Sequence, residues 1–196
     1  SEHSMIGKFK GQIVKEEELP LTLTSYSPCF RKEVGAHGIE ERGIYRVHQF
    51  EKIEQFIFST PEDSRKQHDH LMEVTERIYQ KLGLPYQVIA IVSSALNDNA
   101  AIKYDLEAWF PGSGAFRELV SCTNCKDYQA RKTKTRYGRA GSGDAQILHT
   151  LNSTAIATER TICCILENYQ QADGSVKIPE VLVPYMNGKT VIEAKK

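Results

Sequence analysis

No run of apolar residues in this 196-residue chain approaches the ~20 that a membrane helix needs, so a helical bilayer span is excluded. The opening Ser1-Glu2-His3-Ser4-Met5 lacks the charged-then-apolar pattern of a secretory leader, and the chain is expected to be soluble and cytosolic, with no membrane partner. Neither sign of charge is in excess: 25 basic residues face 25 acidic ones, so nucleic acid could be held only by a local patch. Five cysteines, an odd number, argue against a disulfide framework and fit a reducing compartment. Cys122-Thr123-Asn124-Cys125 has CxxC spacing, but no second pair follows at zinc-site spacing, and ordinary buried thiols are expected. Internal repeats are absent. What remains is 40% hydrophobic content in a chain long enough for one domain with a sizeable core.

The residues predict an α+β fold, an antiparallel sheet flanked by helices. A strand over 21–33 follows an acidic run that ends at Leu19-Pro20. Thr60-Pro61-Glu62-Asp63 starts a helix with a Thr cap, proline in the first turn and acids where the dipole favours them. That helix is expected to reach Leu82 and stop at Gly83, with Leu71, Val74, Ile78 and Leu82 as its apolar stripe. Strands are expected over 87–92 (compact and buried), 104–110, 117–121 and 147–152, with a short helix over 127–131 and an exposed basic strand over 132–136. Residues 138–144 read as a loop. Ser153 and Thr154 would cap a final helix ending near Gln171, with Ile162, Ile165, Leu166 and Tyr169 on its buried side. Strands outnumber helices too heavily for a doubly wound parallel sheet.

The stretch 46–56 carries the chemistry. Read as a strand, it projects Arg46, His48, Phe50, Lys52 and Glu54 from one face and Val47, Ile53 and Ile57 from the other. Phe30-Arg31-Lys32-Glu33 would pair with it as a long-looped hairpin, setting Arg31 and Glu33 beside Arg46 and Phe50. At ~3.3 Å per residue, Phe50 and Glu54 lie roughly 13 Å apart. An aminoacyl-adenylate spans about that distance.

These segments resemble the class II aminoacyl-tRNA synthetases and, within them, the seryl-tRNA synthetases of archaeal and eukaryotic cytosolic type. The hairpin is similar to the second signature motif, and 149–160 (HTLNSTAIATER) to the third. Likeness continues through 106–112, 117–121 and 167–170. The resemblance implies ATP and L-serine as substrates, Mg²⁺ as cofactor, serine tRNA as acceptor and a homodimer for the complete protein. Arg31 would bridge the ATP α-phosphate and the serine carboxylate, since a planar guanidinium can engage two anions at once. Glu33 would accept from the adenine amino group, Phe50 would stack on the base, and Arg46 and Arg160 would hold the departing pyrophosphate. Arg31 and Arg160 are therefore the catalytic candidates. Glu118 and Ser121 are the candidate metal and phosphate site. Because a strict strand puts 118 and 121 on opposite faces, a bulge or strand end must intervene.

For serine itself, Glu54 and Thr154 would read the hydroxyl, with Asn152 nearby, Arg31 on the carboxylate and Glu2 on the ammonium. The resemblance then implies in-line attack of the serine carboxylate on the α-phosphate to give seryl-adenylate and pyrophosphate, followed by transfer of serine to tRNA. No protein nucleophile is needed. His48 reads as a structural, hydrogen-bonded histidine, because carboxylate attack needs no base. A helical arm for tRNA and the first signature motif are not found in 1–196, so the chain is expected to be a C-terminal catalytic portion. Ile39-Glu40-Glu41 replaces the more basic hairpin loop usual in the family; Arg131, Lys132, Lys134, Arg136 and Arg139 form an alternative basic patch. Competing readings are a catalytically inactive synthetase-like binding or regulatory paralogue, and an ATP-using amide-forming enzyme on the same fold.

Overall fold

The structure, a computed structural model, describes residues 1–32, 43–139 and 143–194. In chain order these form α1 (His3–Lys8), β1 (Ile13–Lys15), β2 (Leu21–Phe30), β3 (Gln49–Ser59), α2 (Ser64–Leu82), β4 (Tyr86–Ala90), β5 (Ile102–Phe110), β6 (Ala115–Lys126) and α3 (Tyr128–Thr133). Then follow β7 (Arg136–Gly138), β8 (Gln146–Ile147), β9 (His149–Ala157), α4 (Thr158–Tyr169), β10 (Val176–Lys177) and β11 (Val191–Ile192). Among the described residues, six strands make one antiparallel sheet in the order β2-β3-β9-β6-β5-β4. The expected α+β architecture is what forms.

Both faces of the sheet are covered at its centre, and β3 shows how. Side chains alternate along a strand, so Ile57 joins the core with Leu71, Tyr79, Leu106 and Leu151 under α2 and α4. Its neighbours Phe56 and Phe58 join a second cluster with Met5, Ile6, Val14 and Leu148 on the opposite face. That second cluster is roofed by α1 and by a small sheet in which β1 runs parallel to β7, an element the sequence reading did not anticipate.

The structure corrects several local expectations. The first long strand ends at Phe30, three residues short of Glu33, which lies outside the described residues together with the hairpin loop 33–42. Helix α2 begins at Ser64, because the Thr60 hydroxyl accepts from the Asp63 amide at 3.3 Å and closes a turn ahead of the helix. Its buried stripe runs through Leu71, Met72, Thr75, Tyr79 and Leu82, leaving Val74 and Ile78 at the margin. β4 is an edge strand, half open to solvent, rather than a buried one. Ser153 and Thr154 lie inside β9, and α4 starts at Thr158 with no side-chain cap. The basic run 132–136 is the end of α3, a left-handed Lys134 and the start of β7, not one exposed strand; Arg131 is tied to Asp127 at 2.7 Å. Part of the expected 138–144 loop, 140–142, is outside the described residues.

Helix α4 packs Ile165 and Tyr169 against the core as expected, but not Ile162 and Leu166. Thr161 and Cys164 are buried, whereas Ile162 and Leu166 are 44% and 39% exposed. Small residues face in because the helix lies close on the β5 backbone: Asn168 Nδ2 donates to the Trp109 carbonyl at 2.9 Å and the Cys164 thiol reaches it at 3.6 Å.

The stop of α2 is backbone chemistry. Gly83 adopts φ 65°, left-handed, and a Cβ there would come within 2.5 Å of the Tyr169 hydroxyl, which donates to the Leu82 carbonyl at 2.6 Å. Gly83→Ala is expected to destabilise the fold by about 1–3 kcal/mol in urea unfolding, from left-handed strain plus displacement of that hydrogen bond. Combining it with Tyr169→Phe should cost less than the sum of the two single changes. Strict additivity would refute the contact.

Candidate active site

The front of the sheet carries a groove where the second core gives way to polar side chains. Phe50, Lys52 and Glu54 continue the β3 face that buries Phe56 and Phe58 further along. Two adjoining cavities share Lys52, Ser121 and Thr154 as a common wall. The larger, about 700 Å³ with its open mouth, is lined by Arg31, Arg46, Phe50, Glu118 and Arg160 among others. The smaller, about 520 Å³, is lined by Glu2, Glu54, Asn152, Asn97, Asn99 and Lys103 among others.

Every described residue given an ATP-, metal- or serine-binding role from the sequence therefore borders one of these cavities. Glu33 cannot be placed. The expected alternation through 46–50 does not hold, because the pleat begins only at Gln49 and both Arg46 and Val47 line the larger cavity. His48 faces the hairpin instead, its Nδ1 3.2 Å from the Arg31 carbonyl, while the Arg31 amide donates to the His48 carbonyl at 2.9 Å. This pinning holds Arg31 just beyond the end of β2, its guanidinium 4.8 Å from the Phe50 ring centre.

Arg160 enters from the first turn of α4. Its Nε donates to the Tyr45 carbonyl at 3.2 Å and its Nη1 to the Glu118 carbonyl at 3.1 Å. Two guanidiniums approach the Tyr45 ring, Arg117 at 3.6 Å and Arg160 at 4.5 Å from its centre, and its hydroxyl donates to the Glu118 carbonyl at 2.9 Å. Burial raises the Tyr45 phenol, opposed by the two guanidiniums, so it stays a neutral donor. The neighbouring Glu159 carboxylate accepts the Glu51 amide with both oxygens at 3.0 Å, tying the start of α4 to β3.

The juxtaposition of Glu118 and Ser121 comes from a bulge. Pairing of β5 with β6 shifts register between Leu106 and Glu107, leaving Leu119 as the extra residue. The strand irregularity that the spacing required is there, and Ser121 Oγ lies 3.3 Å from Glu118 Oε1. Asp105, opposite Ser121, is buried, and its Oδ1 has no hydrogen-bond partner among the described residues; burial raises its carboxyl, partly offset by the Ser121 hydroxyl and by Lys103. Glu118 Oε1 also faces Arg160 Nη1 at 3.8 Å and Asp105 Oδ2 faces Lys103 at 3.5 Å, so a hard divalent cation here would meet oxygen donors of the kind it prefers in competition with these two cations.

At the other end, a register shift between β3 and β9 sets Thr154 directly across from Glu54. Glu54 is only 2% exposed, its Oε2 is 2.7 Å from Lys52 Nζ, and the Thr154 hydroxyl donates to the same oxygen at 3.4 Å. Burial raises the Glu54 carboxyl and Lys52 pulls it back. Asn152, on the same face, donates to the Cys125 sulfur at 3.5 Å. Burial pushes the Cys122 and Cys125 thiols up to about 12, so at neutral pH neither supplies a thiolate. Tyr45, Asn97, Asn99, Lys103 and Thr123 escaped the sequence reading. The polar cluster Asn97-Asp98-Asn99 between two strands was the signal available.

Residues 1–169 match the tRNA synthetase class II core domain (G, H, P, S and T). The chain is 73% identical to a serine–tRNA ligase of Methanosphaera stadtmanae over 195 residues, all of this chain and 46% of that protein. Its structure superposes on the seryl-tRNA synthetase of Pyrococcus horikoshii complexed with ATP (TM-score 0.95, 46% identity, 100% of this chain and 43% of that one). It also superposes on the cytoplasmic serine–tRNA ligase of Naegleria fowleri in complex with AMP (TM-score 0.94, 50% identity, 100% and 46%). The chain spans about half the length of the curated relatives it matches.

Proposed function

Because the chain belongs to the class II tRNA synthetase core-domain family, we propose that residues 1–196 are the catalytic core of a serine–tRNA ligase. It activates L-serine with ATP to seryl-adenylate and pyrophosphate and delivers serine to the 3′ end of serine tRNA. The observation that carries this reading is one continuous groove, with Phe50 and the guanidiniums of Arg31 and Arg160 at one end and the buried Glu54–Thr154 pair at the other.

In this reading the base stacks on Phe50 and the α-phosphate meets Arg31, whose fork also receives the serine carboxylate. Arg46 and Arg160 receive the β- and γ-phosphates, with the first turn of α4 adding its partial positive charge. Holding the carboxylate in line with the α-phosphate supplies most of the acceleration, since the nucleophile is already ionised. Glu118 and Ser121 would hold Mg²⁺, which when bound offsets charge between the phosphates. Glu2 takes the serine ammonium, and Glu54 with Thr154 takes the hydroxyl, Asn152 closing the wall. A hydroxyl-reading site rejects alanine because its buried acceptor would then go unpaired. Glu33 completes the adenine contact in the same proposal, as do a cytoplasmic location and a homodimeric complete protein.

Serine-dependent exchange of labelled pyrophosphate into ATP is the expected result for this protein, together with calorimetric heat on titration with a non-hydrolysable seryl-adenylate mimic. Exchange with alanine but not serine would overturn the specificity. Neither exchange nor heat would leave a synthetase-like binding protein as the better description.

A further inference from the structure

Among the described residues, two cations of the groove, Lys52 and Lys103, have no task in the reading above, and only Lys52 touches the Glu54 carboxylate. Lys52 borders both cavities, sits on β3 two residues from Glu54 and so on the same face, and its side chain is 18% exposed. Its Nζ lies 2.7 Å from Glu54 Oε2, the oxygen that the Thr154 hydroxyl also reaches at 3.4 Å. Among the described residues, both polar contacts of the Glu54 side chain therefore fall on one oxygen.

We propose that Lys52 is a specificity-determining positioning residue: with Thr154 it engages Glu54 Oε2, leaving Oε1 as the acceptor that selects a hydroxyl-bearing amino acid. The inference rests on the reading of the groove as a serine-activating site. An ionised carboxylate is acceptor-only, so it is satisfied by a ligand that donates and penalises a methyl group in the same place. A protonated carboxyl would present a donor as well and lose that one-way demand. Burial drives Glu54 toward the protonated form, and the adjacent ammonium is the largest influence opposing it. The other charged or titratable groups facing Glu54 act in both directions. Glu2, ahead of α1, disfavours its charge and the amino group of Ser1 favours it. Lys103 of β5 lines the same cavity, and the Cys122 thiol lies on β6 behind the site.

Lys52 is too close to the groove for a purely structural part, and the two roles separate experimentally. Lys52→Met and Lys52→Arg are compared with the unaltered protein by pyrophosphate exchange from mildly acidic to mildly alkaline pH, with KM for serine and for ATP measured separately. Lys52→Met should raise KM for serine about tenfold or more at neutral pH, with KM for ATP nearly unchanged. The deficit should shrink as pH rises, because without its cation Glu54 ionises only at higher pH. Lys52→Arg should restore most of the affinity. A serine KM like that of the unaltered protein, or a loss that is independent of pH and shared equally by ATP, overturns the proposal. In parallel, ¹³C-carboxyl NMR, with Glu54→Gln for assignment, follows Glu54 without requiring turnover. An identical Glu54 titration with and without Lys52 overturns the role of the lysine. Absence of serine-dependent exchange in the unaltered protein instead overturns the reading of the groove.

Discussion

Arg31→Ala and Arg160→Ala each lower serine-dependent pyrophosphate exchange by on the order of 10²–10³-fold, while leaving the melting temperature close to that of the unaltered protein. The two arginines are expected to act on developing charge. Arg31 lies beyond the end of β2, held by its backbone to His48 at 2.9 Å, so truncating the side chain leaves the hairpin bond intact. Arg160 donates to the carbonyls of Tyr45 and Glu118 and lines the larger cavity, so its loss frees two acceptors beside a space that water can enter to replace the donor. Arg31→Lys should recover little, because a point charge cannot engage phosphate and carboxylate together as a fork does. For Arg31 the loss should appear in kcat more than in KM for ATP, the signature of a contact made chiefly in the transition state. Should Arg31→Ala exchange at a rate within a few-fold of the unaltered protein, in-line activation around this residue is wrong.

Glu54→Ala is expected to cost on the order of 10³-fold in kcat/KM for serine and to collapse the preference for serine over alanine. Two effects combine. The hydroxyl of the substrate loses its acceptor, and Lys52 loses the carboxylate 2.7 Å away, leaving an ammonium partly out of water with no counter-charge. Glu54→Gln separates them: it keeps the shape and an acceptor oxygen but removes the charge, and should fall between the two. Competition between serine and alanine in the exchange reaction reads the preference directly. A Glu54→Ala protein that still prefers serine by the original ratio would move hydroxyl recognition elsewhere in the groove.

Much of this site is legible in the sequence. Period-two alternation put Phe50, Lys52 and Glu54 on one face, and they share it. The incompatibility of positions 118 and 121 with a straight strand called for a bulge, and Leu119 supplies it. The αL stop at Gly83 followed from glycine's freedom at positive φ. The misses also have physical causes. Alternation cannot tell a strand from the turn leading into it, so it extends the strand back to Arg46, whereas the pleat starts only at Gln49. Helix α4 was expected to bury Ile162 and Leu166, but close approach to the β5 backbone demands small side chains, and Thr161 and Cys164 are the ones that fit.

By itself, then, the sequence determined the residue chemistry and the local backbone: which side chains alternate, where α2 stops, where β6 must buckle. Tertiary structure decided the company those residues keep. Glu2, Arg31, Glu118, Thr154 and Arg160 come from segments far apart in the chain and meet only because β3, β9 and β6 are neighbours in the sheet. Periodicity and backbone preference act over a few residues and are written in them. Strand order and the choice of face to cover depend on distant surfaces competing for burial, and only the assembled fold resolves that competition.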